Sequence, residues 1–306
     1  MQTIVIGAGP AGLSCALELQ DSKIGYIVFE RAPRVGGQLW DISNTVRNFV
    51  GGYADSGAQT AQRLVDLTNI MSANVQLNSR IEHVDLKLKT LRVNGETYKA
   101  KTIVLATGYR IRELPLTGSS MFKSAVFYKS EGIQNEFAGK RVVVIGGGDM
   151  ALSECLELTT MCPQVYLIHR NNKLKARPDV IKAVKNNAKI TMMLDTEVDS
   201  LIGQQHLTGV QVISSHSGEV KDVQAERVLI KVGYVPNTEM FRGQVTMDAS
   251  GHILIDRYCQ SNLPGVFAVG DITNPGYPRI ATAAGHGVIA ASRIRLIAEA
   301  DAQLET

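Results

Sequence analysis

The chain has 306 residues, 44% of them hydrophobic and 20% charged, with a formal net charge of +3. This suits a globular protein with room for two cores. So small a charge, without a dense Lys/Arg run interleaved with aromatics, excludes a dedicated nucleic-acid binder. No apolar run reaches the roughly 18 residues of a membrane span, and the first strand starts too early to leave space for a signal peptide, so a cytoplasmic protein is expected.

In chain order, the strand Thr3 to Ile6 runs directly into Gly7, Gly9 and Gly12 and then into the helical run LSCALELQ. Gly7 suits a tight turn, Gly9 close approach to a pyrophosphate, and Gly12 close packing of a helix whose N-terminus faces the anion. Glu30 ends the next strand, YIVFE, at the distance expected of a ribose-binding carboxylate. Gly36 and Gly37 then open a second glycine pair before Gln38, Leu39 and Trp40, the last expected in the core. Asn48 to Gly52 reads as a turn and 56–71 as an amphipathic helix. Residues 75–101 alternate apolar and polar, with a hairpin turn at Asn94 and Gly95. TIVLATG (102–108) returns to the main sheet.

Residues 113–245 repeat this plan. Gly146, Gly148, Ala151 and His169 each lie 139 residues after Gly7, Gly9, Gly12 and Glu30, a regularity that marks duplication. The copies differ in their chemistry. Glu30 suits a free ribose diol, whereas His169, Arg170, Lys173, Lys175 and Arg177 offer cations to a 2′-phosphate. Two unlike dinucleotides on one chain are therefore expected. After Pro236 and Asn237 the chain turns back, and NLPGVFAVGDI followed by a final helix (282–298) completes the first domain. The expected architecture is α/β: two Rossmann-like three-layer ββα domains, one of 1–112 with 246–306 and the second, 113–245, inserted into it, each with a small antiparallel layer. The inserted domain is expected to rotate on its two connecting strands.

Cys15, Cys155, Cys162 and Cys259 show neither CxxC nor metal-like spacing, and the six histidines do not cluster, so no metal site is expected. Cys15 and Cys155 are expected as small core residues of the two post-glycine helices.

The motifs GAGPAG (7–12), GGQL (36–39), ATG (106–108), GGGDMA (146–151), HR (169–170), GYVPNTEMF (233–241), GVFAVGDI (265–272) and ATAAGHG (281–287) resemble those of the low-molecular-weight thioredoxin reductase family of flavoproteins across the whole chain. That resemblance implies FAD in the first domain. It would be held by Gly7, Gly9, Pro10, Ala11 and Gly12 at the pyrophosphate and by Glu30 and Arg31 at the adenosine. Gly37, Gln38, Leu39, Asn48, Ala106, Thr107 and Gly108 would lie around the cofactor. Gly270 and Asp271 would meet the ribityl chain, and Arg279, Ile280 and Ala281 the pyrimidine edge. It likewise implies NADPH on Gly146, Gly148, Asp149, Met150, Ala151, His169, Arg170 and Lys175. Asn171 stands where the family commonly has a further arginine, which weakens the preference over NADH. His286, expected in the first turn of the last helix, is the candidate catalytic side chain, able to stabilise or protonate reduced flavin. A homodimer is the family's usual state.

One departure decides the function expected. The family's CxxC lies just before the first strand of the inserted domain, and here that segment reads AVFYKSEGIQNEFAGK (125–140), without cysteine. Lys129, Ser130 and Glu131 cannot replace a dithiol in exchange with a protein disulfide. The chain is therefore expected to be an FAD-dependent NAD(P)H oxidoreductase without a sulfur relay, similar to the thioredoxin-reductase-like ferredoxin/flavodoxin reductases, with an acidic carrier as partner. Two alternatives stand beside this: direct reduction of a small disulfide, quinone or other small acceptor, and a redox-responsive flavin protein with a vestigial NADPH site.

Overall fold

The computed structural model describes residues 2–42, 45–130, 132–273 and 278–304. It divides into two units, Met1–Arg110 with Val235–Thr306, and Ile111–Tyr234.

The first unit is built on a parallel sheet in the order Val266–Ala268, Thr102–Leu105, Thr3–Ile6, Tyr26–Phe29, Val75–Gln76. Its four buried strands are almost wholly apolar because both faces are covered, and the two exceptions, Thr3 and Thr102, join their hydroxyls at 2.8 Å. Alternation sorts the side chains: Val5, Val28 and Val104 join one core with residues of the helices Pro10–Asp21 and Ile280–Leu304. Ile4, Ile6, Phe29, Ile103 and Leu105 join another, with Val84, Leu91 and Val93 from an antiparallel layer. That layer comprises Ile81–Asp85, Thr90–Val93 and Glu96–Lys99. Asn94 and Gly95, at φ 49° and 86°, form its tight turn.

The second unit repeats the scheme: Ile190–Met193, Gln164–Ile168, Arg141–Ile145, Arg227–Ile230, Val126–Phe127 in a parallel sheet, with Thr196–Gly203, Leu207–Ser214 and Val220–Gln224 as the antiparallel layer. Val143 and Ile145 face one core, Val142 and Val144 the other.

The return to the first unit comes at 235, eleven residues before the return expected at 246. Packing explains the difference. Phe241 and Val245 are buried in the first unit's core, and Gln244 donates to the Val84 carbonyl at 3.0 Å while accepting from the Leu86 N–H at 2.9 Å. The last helix is longer than expected, Ile280–Leu304, which places His286 in its second turn rather than its first.

Candidate functional site

In the first unit the strand Thr3–Ile6 lies centrally between Tyr26–Phe29 and Thr102–Leu105, so the turn that follows it opens at the carboxyl edge of the sheet. Gly7 has φ 106°, and a Cβ there would come within 2.4 Å of the Ala106 carbonyl oxygen. A Cβ on Gly12 would lie 1.9 Å from the Gly7 carbonyl oxygen, whereas one on Gly9 meets no protein atom within 4 Å. Gly9 caps the helix Pro10–Asp21 with no side-chain hydrogen bond, leaving the first-turn N–H groups for an anion.

Glu30 is 7% exposed. One carboxylate oxygen accepts from the Ala8 N–H at 2.7 Å and the other from the Ala32 N–H at 2.8 Å. The acid thus braces the glycine turn itself, a role the ribose reading did not include. Each oxygen keeps a lone pair for a hydroxyl. The second glycine pair closes on the first: the Gly36 N–H donates to the Ala8 carbonyl at 2.8 Å, and a Cβ on Gly37 would sit 3.2 Å from Gly9 Cα. Gln38 donates to the Tyr109 carbonyl at 2.7 Å, and Leu39 is buried. Trp40 is half-buried, its indole N–H bonded to the Val35 carbonyl and its ring under Arg34. Arg31 and Asn48 are exposed.

Ala106, Thr107 and Gly108 are fixed by Asn237, which donates from Nδ2 to the Thr107 carbonyl at 2.8 Å and from its backbone to the Gly108 carbonyl at 2.9 Å. On the other side Gly270, at φ 75°, packs so near Ala11 that its own Cβ would be 2.9 Å from the Ala11 methyl. Burial pushes Asp271 up to about 6. Tyr109, which the motif reading passed over, is raised to about 12 by its own burial and then by the charge of Asp271. His286 accepts from the Gly270 N–H at 3.4 Å through Nδ1, and burial lowers its pKa, so the ring is neutral at pH 7 and ties the helix to the Gly270 turn. Arg279 is exposed and bonded to the Pro278 carbonyl, and Ile280 and Ala281 begin the helix beside it.

The second unit has the same turn with different fittings. Gly146 faces the Lys231 carbonyl oxygen, 2.3 Å from where its Cβ would stand. Gly148 caps the helix Asp149–Leu158 with Asp149 in its first turn. The loop after His169 folds back on the turn: the Lys175 N–H donates to the Gly147 carbonyl at 2.7 Å, and the Arg177 N–H to Asp149 at 2.8 Å. Asp149 is thus a brace for that loop. Arg170, Lys173 and Lys175 are exposed. The His169 ring lies over Gly147, where a Cβ would strike it at 2.4 Å. Its Nε2 is buried without a partner among the described residues. Burial, then the neighbouring Arg170 and Lys175, depress its pKa against a hydrogen bond that the ring donates to the Lys173 backbone. An orphaned ring nitrogen beside a phosphate-type turn and exposed cations is what a bound nucleotide would satisfy. Met150 is exposed and accepts a hydrogen bond from the Tyr234 hydroxyl on its sulfur, while Ala151 is buried.

The structure therefore brings Glu30, Gly37, Ala106 and Gly270 to the first glycine turn and Asp149, His169 and Lys175 to the second, donor sets that fit the two cofactors, whereas among the described residues no contact ties Arg31, Asn48 or Arg279 to either turn. All four thiols are buried. Burial raises Cys15 and Cys155 far above the ordinary range, Cys162 to about 11 and Cys259 to about 12. Among the described residues no cluster of His, Cys, Asp or Glu could hold a metal, and no helix is long and apolar enough to cross a membrane.

Two glycine turns on one chain, one braced by an acid and one beside exposed cations, are the fittings that a flavin- and pyridine-nucleotide-dependent oxidoreductase requires. Residues 1–287 match the profile of the pyridine nucleotide-disulphide oxidoreductases. The chain belongs to that family, and is an FAD-containing NAD(P)H oxidoreductase of the thioredoxin reductase-like type. It is 31% identical to a thioredoxin reductase of Mycolicibacterium smegmatis, covering 97% of both chains. It is 28% identical to a 34.2 kDa protein in the rubredoxin operon of Clostridium pasteurianum, covering 95% of both. The crystal structure of Lactococcus lactis thioredoxin reductase in its FR conformation superposes with a TM-score of 0.82 at 26% identity, over 96% of this chain and 97% of that one.

Proposed function

We propose that this chain takes hydride from NADPH onto FAD and passes the electrons directly to a carrier protein, with no thiol between. The observation that carries this reading is that every cysteine is buried with its pKa raised, while the segment 125–140 has none. A thiol–disulfide relay needs an accessible thiolate. The relative encoded with rubredoxin supports a small one-electron carrier as acceptor, and a ferredoxin or flavodoxin meets the same requirement.

When bound, FAD supplies the hydride acceptor and the step from two-electron to one-electron chemistry. The chain's part is placement. Gly7, Gly9 and the first-turn N–H groups receive one pyrophosphate, Glu30 the adenosine ribose, and Asp271 the ribityl hydroxyls. Gly148 and its helix receive the other pyrophosphate, and His169, Arg170 and Lys175 the 2′-phosphate. His286 holds the Gly270 turn and the helix start in register. The remaining parts of the reading are a cytoplasmic homodimer.

An anaerobic titration of the yellow protein with NADPH and with NADH tests the first half. NADPH is expected to bleach the flavin at lower concentration than NADH, and added ferredoxin, flavodoxin or rubredoxin to restore the colour. Bleaching with recovery only by small disulfides would refute a carrier acceptor. No bleaching by either nucleotide would refute the hydride step.

A further inference from the structure

The second unit contains a buried charged group that its twin lacks. Lys231 Nζ and Glu154 Oε1 are 2.8 Å apart, each side chain only 9% exposed, and the buried Ser130 hydroxyl donates to the other Glu154 oxygen. The repeat offset of 139 residues puts Cys15 at the position of Glu154. In the first unit the first glycine faces the Ala106 carbonyl, and in the second it faces that of Lys231, so Ala106 and Lys231 correspond. Both Cys15 and Ala106 belong to an apolar core. The fold is thus built in the first unit with Cys and Ala where the second has Glu and Lys. A buried ion pair costs desolvation that packed apolar residues avoid, so fold stability does not account for it.

Its place in the sheet points to a ligand. Lys231 directly follows the strand Arg227–Ile230, and Ser130 stands three residues after Val126–Phe127. Both are therefore at the carboxyl ends of the two strands beyond Arg141–Ile145 in the order Gln164–Ile168, Arg141–Ile145, Arg227–Ile230, Val126–Phe127. Dinucleotides lie across the carboxyl edge of such a sheet at its switch point. His169 and Arg170 follow Gln164–Ile168 and mark the adenosine end. The glycine turn after Arg141–Ile145 marks the pyrophosphate. The other half of the molecule must then run toward the strands that end at Lys231 and Ser130.

We propose that Ser130, Glu154 and Lys231 form the subsite for the carboxamide of the nicotinamide half. A primary amide presents one acceptor and two donors. An ammonium beside a carboxylate is its complement, the lysine donating to the amide oxygen and the glutamate accepting an amide N–H. Ser130 keeps the carboxylate oriented. The proposal rests on the reading of this unit as a pyridine-nucleotide site.

The test uses the FAD-loaded protein and two probes, NADP+ and 2′,5′-ADP, which lacks the nicotinamide half. Binding is followed by calorimetry. Glu154→Cys with Lys231→Ala installs the first unit's own residues and leaves no unpaired charge. NADP+ is expected to bind at least tenfold more weakly to this double variant, with 2′,5′-ADP within twofold of the natural protein. If the double variant does not fold, Ser130→Ala is the second variant, expected to weaken NADP+ about threefold and 2′,5′-ADP not at all. Unchanged NADP+ binding, or an equal loss with both probes, would overturn the subsite. Failure of the natural protein to bind either probe would instead remove the nucleotide site on which the proposal rests.

Discussion

The two units share strand order and glycine turn, yet differ in what closes the turn. In the first, Glu30 satisfies two backbone N–H groups at 2.7 and 2.8 Å, so the side chain that closes the turn has its protein partners without a ligand. In the second, the corresponding side chain, His169, leaves Nε2 buried and unpartnered among the described residues. A braced cradle loses little freedom on binding and suits a resident cofactor, whereas an unmet polar atom is satisfied only when a ligand arrives and suits an exchangeable one. The duplication thus supplied one scaffold, and the residue closing the second strand set its use.

The sharpest way to break this comparison is at the third glycine. The second copy carries Ala151 there, but in the first a methyl on Gly12 would stand 1.9 Å from the Gly7 carbonyl oxygen, a backbone atom that cannot move aside. Gly12→Ala is expected to destabilise the first unit by about 3 kcal/mol or more through overpacking and to yield protein without flavin. The ratio of visible to ultraviolet absorbance after purification measures it. Retention of full colour would show that the first turn has the slack of the second.

Next in size is the brace. Glu30→Ala orphans the buried Ala8 N–H and the part-buried Ala32 N–H; at roughly 1–3 kcal/mol for a buried unsatisfied group, and less for the one that water can reach, the loss should be about 2–4 kcal/mol. Urea unfolding of flavin-free protein isolates this from any cofactor effect. His169→Ala, by contrast, removes one ring nitrogen with no partner among the described residues and a single hydrogen bond to the Lys173 backbone, and should change stability by only about 1 kcal/mol while weakening NADP+ binding. Equal losses for both substitutions would erase the distinction drawn between the cradles.

Much of this was legible in the amino-acid order. The duplicated turn, the strands TIVI and RVVVI that lead into its two copies, and the Asn94–Gly95 hairpin all follow from local rules. What was not legible depends on packing at a distance. Nothing local tells that Phe241 and Val245 belong to the first core, because their partners, Ile103 and Val266 among them, come from distant stretches. Glu30 was read as a ligand for ribose from its spacing, but its two backbone bonds depend on how the chain returns at Ala32. The pairing of Lys231 with Glu154 was equally hidden, although the offset that aligns Glu154 with Cys15 was countable from the start.

The acid that most separates the first unit's floor from its surroundings is Asp271. An unfolded aspartate ionises near 3.8, and here burial moves it to about 6, so the folded state holds its proton more strongly. Between those values the unfolded chain releases its proton first, and each unit of rising pH removes up to about 1.4 kcal/mol of stability. Without flavin, the protein should therefore lose on the order of 1–3 kcal/mol at this residue as pH rises from 4 to 7. Asp271→Asn should flatten that part of the profile of urea midpoint against pH, and an unaltered slope would show that Asp271 is solvated in the free protein.

The smallest expected effect is no effect, and it bears on both units at once. Cys15 in the first post-glycine helix and Cys155 in the second are each fully buried, and burial disfavours the thiolate in both. Iodoacetamide applied to the native protein at pH 8 is expected to modify none of the four cysteines within the time that urea-unfolded protein is modified at all of them. Turnover with NADPH and a one-electron acceptor should be unchanged after the treatment. Mass spectrometry reads the first outcome and acceptor reduction the second. A single alkylated cysteine accompanied by lost turnover would place sulfur in the electron path, and the contrast between the units would then concern a thiol rather than the residues that close their turns.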